Sequence, residues 1–126
     1  MARGVSDEMD EMQAATLRAL ASVHRVRLVH LLTRGPREVH DIATAIDLGQ
    51  ATTSQHLAAL RNVGLVEASR DGRAVIYRLA DPDIGAACDL MRAALVRRLT
   101  RLGNVAAAET LAGPAHRPLQ VEAPLR

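Results

Sequence analysis

The chain has 126 residues, enough for one modest core, and its 48% of hydrophobic residues is a globular value. One Tyr and no Phe or Trp leave Leu, Val, Ile, Ala and Met to build that core, which suits packed helices and favours completion as a dimer. The formal charge of +2 is segregated: residues 13–79 carry nine Arg against five acids, whereas residues 1–12 carry Arg3 against Asp7, Glu8, Asp10 and Glu11, a balance that fits a nucleic-acid face on the middle of the chain.

A first helix is predicted over residues 6–21. Ser6 caps it, the four acids lie at the positive end of its dipole, and Met9, Met12, Thr16, Leu17 and Leu20 form an apolar face at helical spacing. A second helix over 23–33 is capped by Ser22, with Val26, Leu28, Val29, Leu31 and Leu32 inside, and Gly35-Pro36 stops it. Val39, Ile42, Ala43 and Ile46 make the inner face of a short third helix. The turn Asp47-Leu48-Gly49 follows, with Gly49 able to take a positive φ.

The fourth helix, over 50–62, has two unlike faces. At 100° per residue Thr53, Leu57, Leu60 and, just beyond, Gly64 project toward the core. Thr52, Gln55, Ala59 and Asn62 project away from it, and this outer face is small, polar and uncharged where a solvated face would carry Glu, Lys or Arg. Such a face can enter a major groove, where Gln bonds an adenine edge and Thr meets a thymine methyl or a phosphate. Residues 65–69 and 74–79 alternate as two strands joined by Arg70-Asp71-Gly72-Arg73, and Asp-Gly is a hairpin signal. An arginine-tipped hairpin beside such a helix reaches phosphates or the adjacent minor groove. Candidate DNA contacts are Gln50, Thr52, Thr53, Ser54, Gln55, His56 and Arg61 on the helix and Arg70 and Arg73 on the hairpin. His56 is also placed to pack or hydrogen-bond beside the helix.

Asp81-Pro82-Asp83 starts a fifth helix, with Asp81 as N-cap and Pro82 in the first turn. Ile84, Cys88, Met91, Leu95, Leu99 and Leu102 then recur at alternating fours and threes, a seam for a partner helix or for packing within the monomer. Beyond Gly103 the pattern weakens, and residues 113–126 read as a flexible tail. Residues 1–102 are therefore expected to form the working domain, and 103–126 a helix end and tail.

These segments resemble the ArsR/SmtB winged-helix repressors of bacteria over roughly residues 15–102. The family's recognition-helix pattern is matched by Thr53, Ser54, His56, Leu57, Leu60, Arg61, Gly64, Leu65 and Val66, and its wing pattern by Arg70, Gly72, Tyr77 and Leu79. An upstream segment is matched by Ala21, Arg25, Leu28, Val29, Leu31 and Leu32. The resemblance implies a mainly α fold with a small β-hairpin (α+β), four helices, two strands and a fifth helix in order. It also implies a homodimer on a palindromic operator, with an interface through the first and fifth helices. Met9, Met12, Thr16, Ile84, Cys88, Met91, Leu95 and Leu99 are the candidate interface residues.

The family's metal ligands do not carry over. Its C-x-C pair in the third helix falls on Glu38 and His40, and its set on the last helix falls on Asp81, Asp83, Ala94 and Arg97. Ala94 cannot ligate and Arg97 repels a cation, so no metal or other cofactor is expected. Glu38, His40, Asp81 and Asp83 are the nearest candidates for a divalent ion. His24 and His30 are six apart, off register for a shared site, and the lone Cys88 has no redox partner in the chain.

The expected function is a DNA-binding transcriptional regulator, a repressor released by an effector that no motif names. The other reading is a winged-helix protein-interaction module or regulatory subunit. No enzyme signature is present: the Cys has no placed His, and no phosphate loop or facing carboxylate pair occurs. The absence of a long apolar run, of a signal-peptide pattern and of a disulfide pair points to the cytoplasm and away from membranes.

Overall fold

The computed structural model describes residues 4–112, so the tail expected over 113–126 lies outside the described residues. In chain order the elements are α1 (Val5–Leu20), α2 (Val23–Thr33), β1 (Arg37–Glu38), α3 (Val39–Ala45), α4 (Gln50–Asn62), β2 (Val66–Asp71), β3 (Ala74–Leu79), α5 (Pro82–Arg101) and α6 (Val105–Leu111). The fold is mainly α with a small antiparallel sheet.

The helix starts show which local groups win. Gly4, not Ser6, is the N-cap of α1. Its N–H donates to Asp7 Oδ2 at 3.3 Å, so an acid reaching back to the first free amide replaces the expected hydroxyl cap. Ser22 caps α2 as expected, accepting from the Arg25 N–H at 3.5 Å. Asp81 caps α5, accepting from the Asp83 N–H at 2.8 Å, with Pro82 in the first turn. Leu28, Val29 and Leu32 are buried, whereas Val26, expected inside, is 37% exposed. Val26 sits roughly 110° from the centre of that buried face.

The turn between α3 and α4 uses a different residue from the expected one. Asp47 takes the positive φ (55°), and Gly49 stays extended as the N-cap of α4. The Asp47 N–H bonds the Thr44 carbonyl at 3.2 Å and the Leu48 N–H reaches back to Ala43 at 3.0 Å. This paired closure needs one left-handed residue directly after the helix, a place the short polar side chain of Asp tolerates. The same closure ends α4 at Gly64 (φ 79°), where the Leu65 N–H bonds the Leu60 carbonyl at 2.9 Å. Leu60 and Leu65 are both buried, so the turn into the hairpin is locked by an apolar contact.

The sheet has three strands in the order β1-β3-β2. The third strand is unexpected: Arg37 pairs with Tyr77 and Glu38 with Ile76, but two residues show no periodicity in a sequence. In the hairpin, β2 runs on through Arg70 to Asp71, which faces Ala74. The connection is therefore the two-residue turn Gly72-Arg73, with Gly72 at φ 65°, rather than the whole of Arg70–Arg73. A glycine at the first position suits a tight hairpin turn.

One aliphatic cluster holds these elements: Leu28, Val29 and Leu32 from α2, Ile42 and Ile46 from α3 and its end, Leu57 and Leu60 from α4, and Leu65 and Val66 from the start of β2. α5 closes over it at short range. A Cβ on Gly85 would lie 2.6 Å from Thr33 Oγ1 and 3.1 Å from Leu79 Cδ1. Thr33 Oγ1 is itself held by the Val29 carbonyl at 2.7 Å, so it cannot swing aside freely. Gly85→Ala should therefore lower the unfolding free energy by about 1–2 kcal/mol, an overpacking cost of about 2–3 kcal/mol for so close an approach less about 1 kcal/mol of helix propensity. A lower thermal midpoint, largely restored by adding Thr33→Ala, is the expected result. A Gly85→Ala protein as stable as the parent would contradict this packing.

The expected seam on α5 divides. Ile84 and Cys88 pack against the core of their own chain, beside the buried Gly85 and Asp89. Met91 and Leu95 lie on the same side of the helix as Ile84 and Cys88 but farther along it, and there they are exposed. Leu99 is half-buried. On α1, Met9 and Met12 are exposed, and the half-buried Thr16 turns its hydroxyl to the Met12 carbonyl at 2.9 Å. Past Gly103 the chain forms a further helix, α6, which packs back on α5 and buries Ala108.

Candidate nucleic-acid interface

α4 is fixed from behind by Thr53, Leu57 and Leu60, all fully buried. Thr53 is thus removed from the candidate DNA contacts: helical periodicity sets it on the core side, and a side chain at 0% exposure reaches no groove. Its Oγ1 has no hydrogen-bond partner among the described residues. Thr53→Val keeps the shape and deletes the orphaned hydroxyl, so thermal denaturation should show a gain of about 1 kcal/mol. A loss of stability would mean that the hydroxyl has a partner.

The opposite face is open. Thr52, Gln55 and Asn62 are exposed there and Ala59 is half-buried, with Ser54 half-buried and Arg61 exposed on the flanks and Gln50 exposed in the first turn. Arg61 is the only permanently charged residue between Gln50 and Asn62. Amides and hydroxyls with short side chains can hydrogen-bond base edges without holding the helix away from the groove floor.

Next to α4 the hairpin runs out of the core. Val66 is buried, whereas Arg70 and Asp71 are exposed, as is Arg73 in the turn. The register sets Arg70 opposite Val75, on the face of the Ala68–Tyr77 and Val66–Leu79 pairs. Arg78 lies on the other face, and its Nη1 donates to Ser69 Oγ at 3.2 Å. The tip therefore carries two solvated guanidinium groups suited to phosphate oxygens.

His56 points elsewhere than to the groove side. Its Nδ1 accepts from Arg25 Nε at 3.1 Å, and Arg25 Nη1 donates to the Ala19 carbonyl at 3.1 Å. The His24 ring lies against it, with centroids 5.4 Å apart. Burial, then Arg25, then His24 hold the His56 pKa below its ordinary value of 6.5, so the ring is neutral at pH 7. His56 is thus a packing and hydrogen-bonding residue, as the alternative placement had it, rather than a free DNA contact. The role of Arg25 was not read from the sequence; its match to the upstream family segment was the available signal.

The residues considered for a metal are already engaged or dispersed. Glu38 is in β1 and is the N-cap of α3, His40 is exposed, and Asp81 caps α5 against the Asp83 N–H. Among the described residues no group of three or more His, Cys, Asp and Glu is placed to hold a metal ion. A different polar cluster sits where α2 meets α5. Asp89, 4% exposed, has its Oδ1 3.7 Å from His30 Nδ1, and Arg92 Nη1 lies 3.3 Å from His30 Nε2. Charged residues three apart beside an apolar stripe were its trace in the sequence. Burial pushes the Cys88 thiol up, and the neighbouring Asp89 adds to the effect. None of the helices described is long and apolar enough to cross a membrane.

A helix held on a core by aliphatics, presenting an uncharged polar face next to an arginine-tipped hairpin, defines the winged helix-turn-helix class. Residues 22–68 match the bacterial regulatory proteins of the arsR family. The chain is 41% identical over 76 residues to the HTH-type transcriptional regulator NmtR of Mycobacterium tuberculosis, covering 60% of this chain and 63% of that protein. It is 35% identical over 96 residues to the HTH-type transcriptional regulator Rv0081 of the same organism, covering 75% of this chain and 84% of that one. Among solved structures, the homodimeric winged helix-turn-helix DNA-binding domain of Mb0332 from Mycobacterium bovis superposes with a TM-score of 0.73 at 32% identity, over 79% of this chain and 93% of that one. The protein belongs to the arsR family.

Proposed function

We propose that this protein is a cytoplasmic transcriptional repressor that binds a palindromic operator as a homodimer and leaves it when an effector binds. The observation that carries this reading is the pairing of the uncharged outer face of α4 with the exposed Arg70 and Arg73 of the wing. Gln50, Thr52 and Gln55 read base edges, Ser54 and Arg61 meet the flanking backbone, and the wing arginines bind phosphates or the adjacent minor groove. Family membership and the homodimeric Mb0332 domain support the dimer. Exposed Met9 and Met12 on α1 and Met91 and Leu95 on α5 supply its apolar contacts, with Thr16 and Leu99 alongside. Two copies then present two recognition helices to half-sites about one helical turn apart.

The test is selection of duplexes from a random pool followed by titration at several salt concentrations. A shared palindromic sequence and a steep fall of affinity with salt are expected. No salt-dependent binding to any duplex would remove the DNA reading and leave the same surface to a protein partner.

A further inference from the structure

We propose that Arg25 and His56 form a proton-sensitive clasp that positions the recognition helix, so that acidification weakens specific DNA binding. The inference rests on the reading of α4 as the DNA-contacting helix. Arg25 ties three elements together. Its backbone N–H in α2 is held by Ser22 Oγ, its Nη1 by the Ala19 carbonyl in the last turn of α1, and its Nε by His56 in the middle of α4. His56 stands between Gln55, which faces outward, and Leu57, which is fully buried. A displacement at His56 therefore moves the row of side chains proposed to read the bases, and a shift near 1 Å is enough to spoil such geometry.

The chemistry of the contact makes it sensitive to protons. Nδ1 can accept from Arg25 only in the neutral ring with its hydrogen on Nε2. Once protonated, Nδ1 becomes a donor, and two cations face each other across the 3.1 Å now spanned by a hydrogen bond. Of the elements packed against α4, α2 supplies the groups that act on His56, Arg25 and His24, and both disfavour its charge. α1 supplies the Ala19 carbonyl, which Arg25 occupies, and its Arg18 is exposed. α3 and β2 meet α4 through buried aliphatics, and their His40, Asp41, Glu67, Arg70 and Asp71 are solvent-exposed. The sign follows: the clasp is fully formed above the ordinary histidine pKa of 6.5 and is lost as pH falls through the lowered pKa of His56.

The experiment uses the full chain and a fluorescent duplex that the protein itself selects from a random pool at pH 7.5. Affinity is measured at pH 7.5 and 5.5 at fixed ionic strength, for the parent and for His56→Asn, whose Oδ1 can accept from Arg25 without titrating. The parent should lose affinity on the order of tenfold at pH 5.5, because both His56 rings of the dimer take up a proton more readily in the free protein than in the complex. His56→Asn, whatever its affinity at pH 7.5, should change far less between the two pH values. A scrambled duplex should show no such loss, because added positive charge favours non-specific binding. Parallel pH profiles for the two proteins would overturn the clasp. A second readout is independent of DNA: in an NMR titration His56 should titrate below 6.5 as its Nε2–H tautomer, with α4 amide shifts following the same curve. If no duplex binds at pH 7.5 the DNA reading itself fails. Titration of His56 at or above 6.5, or α4 amides that ignore it, would overturn the clasp alone.

Discussion

Replacing Arg70 and Arg73 together with alanine is expected to lower DNA affinity by a factor on the order of 10² to 10³ near 0.15 M salt. Both side chains are exposed on a hairpin that projects from the core, so their removal leaves no cavity and no buried orphan. Four guanidinium groups are lost from a dimer, and each phosphate contact contributes a slope of about 0.9 in log affinity against log salt. The salt dependence should accordingly flatten by about 3.6 units if all four touch phosphates. Binding to selected and scrambled duplexes should fall alike, since phosphate contacts carry no sequence information. An unchanged salt slope would show that the wing does not touch the DNA. The thermal midpoint should stay within a degree or two, which separates this loss from unfolding.

Charging the exposed stripe of α5 with Met91→Glu and Leu95→Glu should give a folded monomer that no longer binds its operator. Both side chains are solvent-exposed in the single chain, so the substitutions create no strain within it. In a dimer, four apolar side chains at about 1.5–3 kcal/mol each would be lost, roughly 6–12 kcal/mol of association energy, before any cost of burying carboxylates. A dimer held at micromolar strength has about 8 kcal/mol of association energy, so even the lower figure would weaken it by more than about 10⁴-fold and leave monomer at working concentrations. Sedimentation should report the monomer mass and circular dichroism an unchanged helix content. A variant that remains dimeric would move the interface elsewhere on the molecule. Ile84 and Cys88 are the wrong sites for this experiment, because both support the core of their own chain.

The legible parts of the fold are those governed by periodicity or by a single strong local signal. α2 and α4 have the bounds expected of them, and Asp81-Pro82 starts α5 as its side-chain chemistry requires. The outer and inner faces of α4 follow from 100° per residue alone, and that rule, applied strictly, already set Thr53 inside. What escaped was settled by competition between neighbours. Ser6 could cap α1, but Gly4 with Asp7 reaching back does so. Gly49 could take the left-handed turn, but the register of the paired closure sets that residue at Asp47. β1 is too short to have a pattern, and it is a strand only through its pairing with β3, Arg37 with Tyr77 and Glu38 with Ile76.

The sequence by itself determined that this chain builds an aliphatic helical core with one helix polar on its outer face and one arginine-tipped hairpin. Those properties follow from periodicity, composition and turn chemistry, all of which act within a few residues. Only the tertiary structure decided which partner each shared surface serves. It split the stripe of α5 between the monomer core and an exposed stretch farther along the helix, brought Asp89 to His30, and turned His56 from the groove toward Arg25, 31 positions earlier. Contacts over such separations depend on how helices pack against one another. A side chain's periodicity states which way it faces, and only the packed neighbour states what it meets.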